Sequence, residues 1–164
     1  MPLRRSTLGR REPIRPPRRA VLIVIGADRT ETAYLKGLRI HPRRGAVRMK
    51  IVEKPAAPDQ LVEYTRTAFT LGDFDEVWCV TDPCFELWLL LHHEDCAAPR
   101  ADCREVHTRL RKHLPRYDKT RLRFGDFAAG LDQASRRAEK LGADHTRNPS
   151  TGVWRLVDAV LEKQ

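Results

Sequence analysis

The stretch that decides the fold is residues 77–95, which read "VWCVTDPCFELWLLLHHED". Its first four residues are apolar and typical of a buried strand, and Asp82 and Pro83 follow soon after. The next segment, "CFELWLLLHH", is apolar nearly all round and predicts a buried helix with Asp82 as its N-cap and Pro83 as its first residue. One acid therefore marks the junction between a strand and a helix in the most apolar part of the chain.

Two strand–helix units are predicted before this junction. The run "AVLIVIG" is continuously apolar, as expected of a strand buried on both faces, and "DRTETAYLKGL" predicts a helix with Asp28 and Glu31 at capping-box spacing. The alternating segment "AVRMKIVE" and the helical segment "APDQLVEYTRTAFTLG" precede the third strand, "EVWCVT". This β-α-β-α-β order predicts a parallel sheet with right-handed crossovers and strands near residues 20–25, 46–53 and 76–81.

The part of the chain after the junction predicts helices and no further strand. "CREVHTRLRKHL" places Val106, Leu110 and Leu114 on one helical face. "FAAGLDQASRRAEKLG" predicts a helix that stops near Gly142, and "STGVWRLVDAVLEK" predicts a last amphipathic helix. The predicted fold class is therefore α/β, with a reduced parallel sheet of about three strands and a helical C-terminal half.

Composition bounds the class of protein. Apolar residues make up 41% of the 164-residue chain and charged residues 32%, which indicates a soluble globular protein. No apolar run reaches the ~18 residues that a bilayer crossing needs, and no signal peptide is recognisable, so we expect a cytoplasmic protein. Residues 1–19 predict a flexible basic arm and residues 20–164 a single domain. The cysteines are too few for a disulfide scaffold and are expected to be reduced; they are Cys79, Cys84, Cys96 and Cys103.

The basic residues form two patches on a slightly acidic body. Residues 1–19 contain seven Arg and one Glu, a net charge of +6, and residues 104–123 contain eight Lys or Arg and two acids, also +6. Since the whole chain carries +9, the remainder carries −3. Such patches suit a nucleic-acid backbone, because each neutralised phosphate releases counterions, whereas the alternative for the arm is a solvated tail. The second patch supplies the predicted nucleic-acid contacts, which are Arg109, Arg111, Lys112, Arg116 and Lys119.

Acids follow two of the predicted strands. Asp28 and Glu31 come after the first strand and Asp82 after the third. Ligands of open parallel sheets bind beyond the carboxyl ends of the strands, and converging carboxylates there can hold Mg²⁺ against phosphates. The alternative is that these acids serve only as helix caps. Glu86 is an acid within the apolar helix, which predicts either a role in a site or an internal ion pair.

Four further polar residues are candidates. Asn148, Ser150 and Thr151 gather at the start of the last predicted helix, where they suit either an anion or ordinary capping. His92 and its neighbour His93 close the apolar helix, and both are interpreted first as structural histidines. His92 is the better functional candidate of the two.

Three motifs, "PCFELWLLLHHED", "NPSTGVWRLV" and "LIVIGADRTETAYLKGL", resemble the RloB-like proteins of bacteria over roughly residues 20–160. The resemblance implies a variant of the Toprim fold, in which acids after two strands bind Mg²⁺ for phosphoryl transfer. It also implies a role in phage defence or abortive infection, beside restriction-modification genes and often with an AAA-type ATPase partner. On this basis Glu31, Asp82 and Glu86 are the predicted catalytic residues. Glu31 and Asp82 are the predicted metal ligands, with Asp28 as a substitute.

Two departures from the family pattern change the prediction. Gly26 stands where the family has a metal-binding Glu, while Thr30 and Glu31 match. The family also has a D-x-D pair, then a helix and strand, before "PCFELW", whereas here "VWCVTD" joins "PCFELW" directly. With these losses, the resemblance predicts a protein that binds nucleic acid or a partner and has an impaired metal site. The alternatives are an active Mg²⁺-dependent nuclease on DNA or RNA and a truncated gene product without a function of its own.

Overall fold

The computed structural model of the chain describes residues 18–26, 28–80, 84–96, 102–142, 144 and 149–161. Several sequence predictions concern residues outside these ranges. They are the arm over residues 1–17, the junction residues Asp82 and Pro83, and Asn148.

The sheet consists of three parallel strands, β1 (Arg19–Ile25), β2 (Val47–Glu53) and β3 (Glu76–Val80). Their order is β2-β1-β3, so the most apolar strand lies in the centre, with Ile23 opposite Ile51 on one side and Trp78 on the other. The parallel sheet and the positions of its strands are confirmed, to within one residue at each end.

The two crossover helices are α1 (Arg29–Arg39) and α2 (Pro58–Leu71). They cover opposite faces of the sheet, because alternate residues of β1 point to opposite sides. Ile23 and Ile25 belong to the larger core, which α1 completes, whereas Leu22 packs with Leu61 of α2 in a smaller core. The central strand is therefore buried on both faces, as its continuous apolar run predicts.

Helix α1 begins directly after β1, at the end of the sheet where ligands of such folds bind. Asp28 is its N-cap, and the side chain of Asp28 accepts a hydrogen bond from the backbone N–H of Thr30 at 2.8 Å. The predicted capping role of Asp28 is confirmed. The cap fixes the first turn of α1, so the direction of the Glu31 side chain is set by the same contact.

The rest of the described chain is helical. Arg44 and Leu161 form an isolated antiparallel bridge, and the described residues after β3 form no named strand, which confirms the helical C-terminal half. Among the described residues, no helix combines the length and the apolar character that a bilayer crossing requires. The helices are α3 (Phe85–Leu91), α4 (Cys103–His113), α5 (Gly125–Ala128), α6 (Leu131–Leu141) and α7 (Val153–Val160).

Helix α3 is the buried helix that the opening stretch predicts, but it begins later than expected. Every residue of α3 except Glu86 is buried, and Trp88 is fully so. The N-cap is Cys84, whose φ of −142° lies outside the helical region. The prediction of Asp82 as N-cap and Pro83 as first residue is therefore wrong, since Cys84 is not yet helical.

Cys84 and Cys103 form a disulfide that joins the N-cap of α3 to the first residue of α4. Their Cα atoms are 5.6 Å apart, within the usual range for a disulfide. The expectation of reduced cysteines is therefore wrong for this pair, while Cys79 and Cys96 are free. The two partners are separated by 19 positions in sequence, and the packing of α3 against α4 brings them together.

The segment predicted as one helix over residues 127–142 is split into α5 and α6 near Gly130. A Cβ atom at Gly130 would lie 2.6 Å from the carbonyl oxygen of His92. The chain therefore bends where its backbone approaches the end of α3 more closely than any side chain would allow.

Candidate functional site

A cleft of about 350 Å³ lies where α1 and α3 begin, beyond the carboxyl ends of β1 and β3. Asp28, Glu31 and Glu86 line it, and we call it the acid cleft. The structure thus brings together three of the four acids that the sequence singles out. Basic and neutral side chains from α4 and the following loop complete the wall; they are Arg104, His107 and Lys119.

Glu31 is the most enclosed acid of the cleft, with 6% of its surface exposed. It lies in the first turn of α1, where the positive end of the helix dipole favours a negative charge. The adjacent Thr30 is buried, and its hydroxyl donates a hydrogen bond to the backbone carbonyl of Lys119 at 3.1 Å. This contact holds the start of α1 against the loop that follows α4.

Glu86 fits both interpretations that the sequence left open, which are a role in a site and an internal ion pair. Its side chain is 14% exposed and lines the acid cleft, and the Nζ of Lys119 lies 3.9 Å from its Oε1. The Lys119 side chain is 60% exposed, so this ion pair is screened by solvent and contributes little to stability. Lys119 therefore remains accessible to an anion that enters the cleft.

Tyr117 lies beside the acid cleft and was not singled out by the sequence. Burial raises the pKa of its hydroxyl, and the negative charges of Glu86 and Asp28 raise that pKa further. The hydroxyl is therefore protonated at neutral pH and available as a hydrogen-bond donor. No spacing rule connects Tyr117 with Glu31 or Glu86, because the loop that carries it is distant from both in sequence.

The acids of the cleft do not form a ready metal site. Within the described residues, no three His, Cys, Asp or Glu side chains come close enough together to hold a metal ion. Asp28 uses a carboxylate oxygen to cap α1, and Glu86 faces the ammonium group of Lys119. Asp82, which would be needed for the predicted pair with Glu31, lies outside the described residues. The role of Mg²⁺ therefore stays a prediction.

His92 occupies a structural position in the core. Its Nδ1 lies 2.8 Å from the carbonyl oxygen of Phe127 and its Nε2 lies 3.1 Å from the hydroxyl of Tyr34. These contacts are both satisfied when Nδ1–H donates to Phe127 and Tyr34 donates to Nε2. Burial lowers the pKa of His92 to about 3, against the opposing effect of the Phe127 hydrogen bond, so the ring is neutral at physiological pH.

The polar residues before α7 act at least in part as a cap. The hydroxyl of Thr151 accepts a hydrogen bond from the backbone N–H of Val153 at 3.3 Å, and Thr151 is buried. Ser150 is partly buried beside it. The N-cap itself is Gly152, so Thr151 satisfies a backbone N–H of the first turn from the position before the cap, and a role in anion binding stays a prediction.

Four of the five predicted nucleic-acid contacts are exposed. Arg111 and Lys112 lie in the last turn of α4, and Arg116 and Lys119 lie in the loop after it. We call these four residues the basic face. Since Lys119 also lines the acid cleft, the basic face and the acid cleft adjoin.

Arg109 differs from the other four basic residues. Its guanidinium pairs with the carboxylate of Glu94, donates to the carbonyl of Asp95 at 2.9 Å and lies 3.3 Å from the Sγ of Cys96. Although burial acts to raise the pKa of Glu94, hydrogen bonds from His113 and Arg109 hold that pKa below its ordinary value. Arg109 therefore links α4 to the segment after α3. Most of its N–H donors are already engaged in these contacts.

The fold and the cleft define the class of protein: an α/β chain with a parallel sheet, an acid-lined cleft at the carboxyl ends of its strands and an adjoining basic face. Residues 80–160 match the family model described as RloB-like protein. This part of the chain is therefore RloB-like, as its motifs predicted. The match covers Glu86 and the basic face, whereas Asp28 and Glu31 precede it. Comparison with curated proteins and with solved structures gave no match.

Proposed function

We propose that the chain is an RloB-like phage-defence protein that binds nucleic acid through the basic face and has an impaired metal site. The observation that carries this proposal is the position of the basic face. Arg111, Lys112 and Arg116 are exposed, and Lys119 extends the positive surface into a cleft of about 350 Å³. Phosphates are the anions that such a row of cations suits best. An ATPase partner is part of the proposal on the ground of the family resemblance alone.

The metal site is proposed to be impaired because it has too few oxygen ligands. Mg²⁺ binds through oxygen ligands in near-octahedral geometry and usually through one or two carboxylates plus substrate phosphates. Gly26, at the end of β1, has no side chain to offer, and the described acids do not converge on one point. Within the described residues, this cleft therefore supplies no complete set of carboxylates for phosphoryl transfer, and Arg104 and Lys119 are the cations that a phosphate would meet there.

The second candidate function is a Mg²⁺-dependent nuclease, and the acid cleft is the observation that favours it. Glu31 and Glu86 line the same cleft although 55 positions separate them in the sequence. Cleavage of DNA or RNA that requires Mg²⁺ or Mn²⁺ and disappears in Glu31→Ala would establish this function. Unchanged substrate with either metal supports binding without catalysis.

The binding proposal is tested by removing charge from the basic face. Replacing Arg111, Lys112 and Arg116 with Ala should weaken binding to every DNA or RNA sequence and reduce the salt slope by about one unit per lost contact. Fluorescence anisotropy with labelled oligonucleotides at several salt concentrations measures both quantities.

The matched control removes the same charge elsewhere. Arg39, Arg48 and Arg66 are exposed and lie in α1, β2 and α2, away from the basic face. Their replacement with Ala should leave the salt slope near that of the wild type. Equal losses in the two triple variants would mean that overall charge, and not the basic face, drives binding.

A further inference from the structure

A second cavity of about 370 Å³ is lined by the end of α4, the loop that follows it and α5. Three arginines line it, Arg116, Arg121 and Arg123, together with apolar residues that include Leu122 and Phe127. We call it the basic cavity. None of the residues that line the basic cavity lines the acid cleft, so the two are separate sites.

The arginines of the basic cavity are available to a ligand. Within the described residues, Arg116, Arg121 and Arg123 are exposed and none of them lies within 4.0 Å of an acid in an ion pair. Arg43 and Arg109, by contrast, are held by Asp132 and Glu94. Three unpaired guanidinium groups around one cavity favour an anionic ligand, and a guanidinium can bind phosphate through two parallel hydrogen bonds.

The interior of the basic cavity is apolar. Phe127 is 1% exposed and Tyr117 7% exposed, so both are fixed in the core, while Leu114 and Leu122 are only partly buried. The two rings are therefore closed to stacking, and the partly exposed Leu114 and Leu122 are the apolar surface on which the face of a planar base can lie. The cavity therefore suits a ligand that combines a flat, weakly polar body with a negative charge.

Two acids at the cavity limit how much negative charge the ligand carries. Asp118 accepts hydrogen bonds from the backbone N–H and the hydroxyl of Thr120 at 2.8 and 2.7 Å, and these bonds lower its pKa, so it stays ionised at neutral pH. Asp126 is exposed at the same cavity. A polyanion is disfavoured there, whereas the amino groups of a base can donate to a carboxylate.

We propose that the basic cavity binds one unpaired nucleotide of a single-stranded nucleic acid. The base lies on the apolar interior and the phosphate pairs with the arginines. This inference rests on the proposed function and specifies its substrate class: single strands or unpaired ends are preferred to duplex, because a base that is stacked and paired cannot enter a cavity. The volume falls at the lower end of the range of ~300–1,000 Å³ typical of small-ligand sites, as expected for a single nucleotide.

The position of the basic cavity links it to the acid cleft. Asp118 lines the basic cavity and its neighbour Lys119 lines the acid cleft. A strand with one nucleotide in the basic cavity therefore has Lys119 beside it as the next cation. The proposal therefore places the neighbouring phosphate of the strand at Lys119, on the wall of the acid cleft.

The test compares a single-stranded 12-mer with a blunt hairpin duplex by fluorescence anisotropy at fixed salt. Replacing Arg121 and Arg123 with Ala should weaken binding to the single strand about tenfold, since losing charge-assisted hydrogen bonds to one phosphate costs on the order of that factor, and should weaken duplex binding much less. The double Lys variant keeps the charge but not the planar guanidinium groups, and should fall between the wild type and the Ala variant.

Controls separate this inference from the proposed function. Arg39→Ala with Arg48→Ala removes equal charge elsewhere and should change both affinities equally and slightly. Equal losses for single strand and duplex in the Arg121 and Arg123 variant would overturn the cavity inference and leave nucleic-acid binding standing. Absence of salt-dependent binding to either probe by the wild type would overturn the proposed function itself. A folded Lys variant with an unchanged single-strand preference would also contradict the inference.

Discussion

Gly26 is the residue whose identity bears most directly on catalysis. It follows β1 and stands where the family resemblance places a metal-binding Glu. Its φ is not positive, and a Cβ added there would come no closer than 4.0 Å to Cδ1 of Leu61. The fold therefore does not require glycine at this position, because an added Cβ would make only an ordinary van der Waals contact with Leu61.

We expect Gly26→Glu to fold and to increase the affinity for Mn²⁺ or Mg²⁺ about tenfold, because one more carboxylate joins Glu31 near the end of β1. Isothermal titration calorimetry measures the affinity, and thermal unfolding checks the fold. Gly26→Gln is the matched control, since it adds the same bulk without the charge. An equal gain in both variants would show that the carboxylate is not a ligand.

His92 predicts a loss of stability at acid pH. Its pKa is lowered to about 3 in the folded protein, mainly by burial, whereas in the unfolded chain it returns to about 6.5. Because the unfolded state binds the proton more readily, the contribution to stability is present above pH 6.5 and is lost progressively as pH falls towards 3. The loss should be about 2 kcal/mol between pH 7 and pH 5.

Urea unfolding of wild type and His92→Gln at pH 7 and pH 5 tests this prediction. The variant should be less stable at pH 7, because it disturbs the contacts with Tyr34 and Phe127, but its stability should change less between the two pH values. Parallel pH profiles for the two proteins would contradict the assignment.

At the scale of elements, the close contact between α3 and Gly130 gives a sharp prediction. An added Cβ would lie 2.6 Å from the carbonyl oxygen of His92. Gly130→Ala should therefore destabilise the protein by about 1–3 kcal/mol, although alanine favours helices by about 1 kcal/mol over glycine.

Gly125 provides the matched control, since a Cβ there has nothing within 4 Å. Gly125→Ala lies in α5 and should leave the free energy of unfolding unchanged or raise it slightly. Denaturant unfolding of both variants measures the two free energies of unfolding. A Gly130→Ala protein as stable as Gly125→Ala would mean that the approach of the two backbones is not tight.

Most helices and strands were predictable from the sequence. The spacing of apolar residues along the chain indicates which side chains are buried, and this spacing differs between a strand and a helix. The boundaries that failed depend on contacts between distant residues. Helix α3 begins after Cys84, which is held to Cys103, and the helix over residues 127–142 is broken where Gly130 meets His92. Neither contact leaves a signal in a local window of sequence.

The candidate site was predictable to a similar degree. The rule that ligands bind at the carboxyl ends of parallel strands placed Asp28 and Glu31 correctly at one cleft with Glu86. His107 at the cleft and Tyr117 beside it were not foreseen, because α4 and its loop are brought to this place by contacts such as that between Thr30 and Lys119. Arg109 differs from the other predicted nucleic-acid contacts for the same reason. It pairs with Glu94, and only the packing of the folded chain brings these two residues together.

At the scale of the whole molecule, residues of the basic face line both the acid cleft and the basic cavity. Two residues of the basic face line these cavities, since Arg116 lines the basic cavity and Lys119, in the same loop, lines the acid cleft. Residues 104–123 carry a net charge of +6, whereas the chain outside the two basic patches carries −3, so this segment is a source of positive field for the proposed nucleic-acid binding.

The most direct test of the central claim is the salt dependence of nucleic-acid binding by the wild-type protein. Anisotropy of a labelled single-stranded oligonucleotide, measured from about 50 to 200 mM salt, should show affinity that falls with a log–log slope of about −3 or steeper, as four phosphate contacts require. Binding that is absent at the lowest salt, or that does not change across the series, would contradict the claim that this protein binds nucleic acid through its basic face.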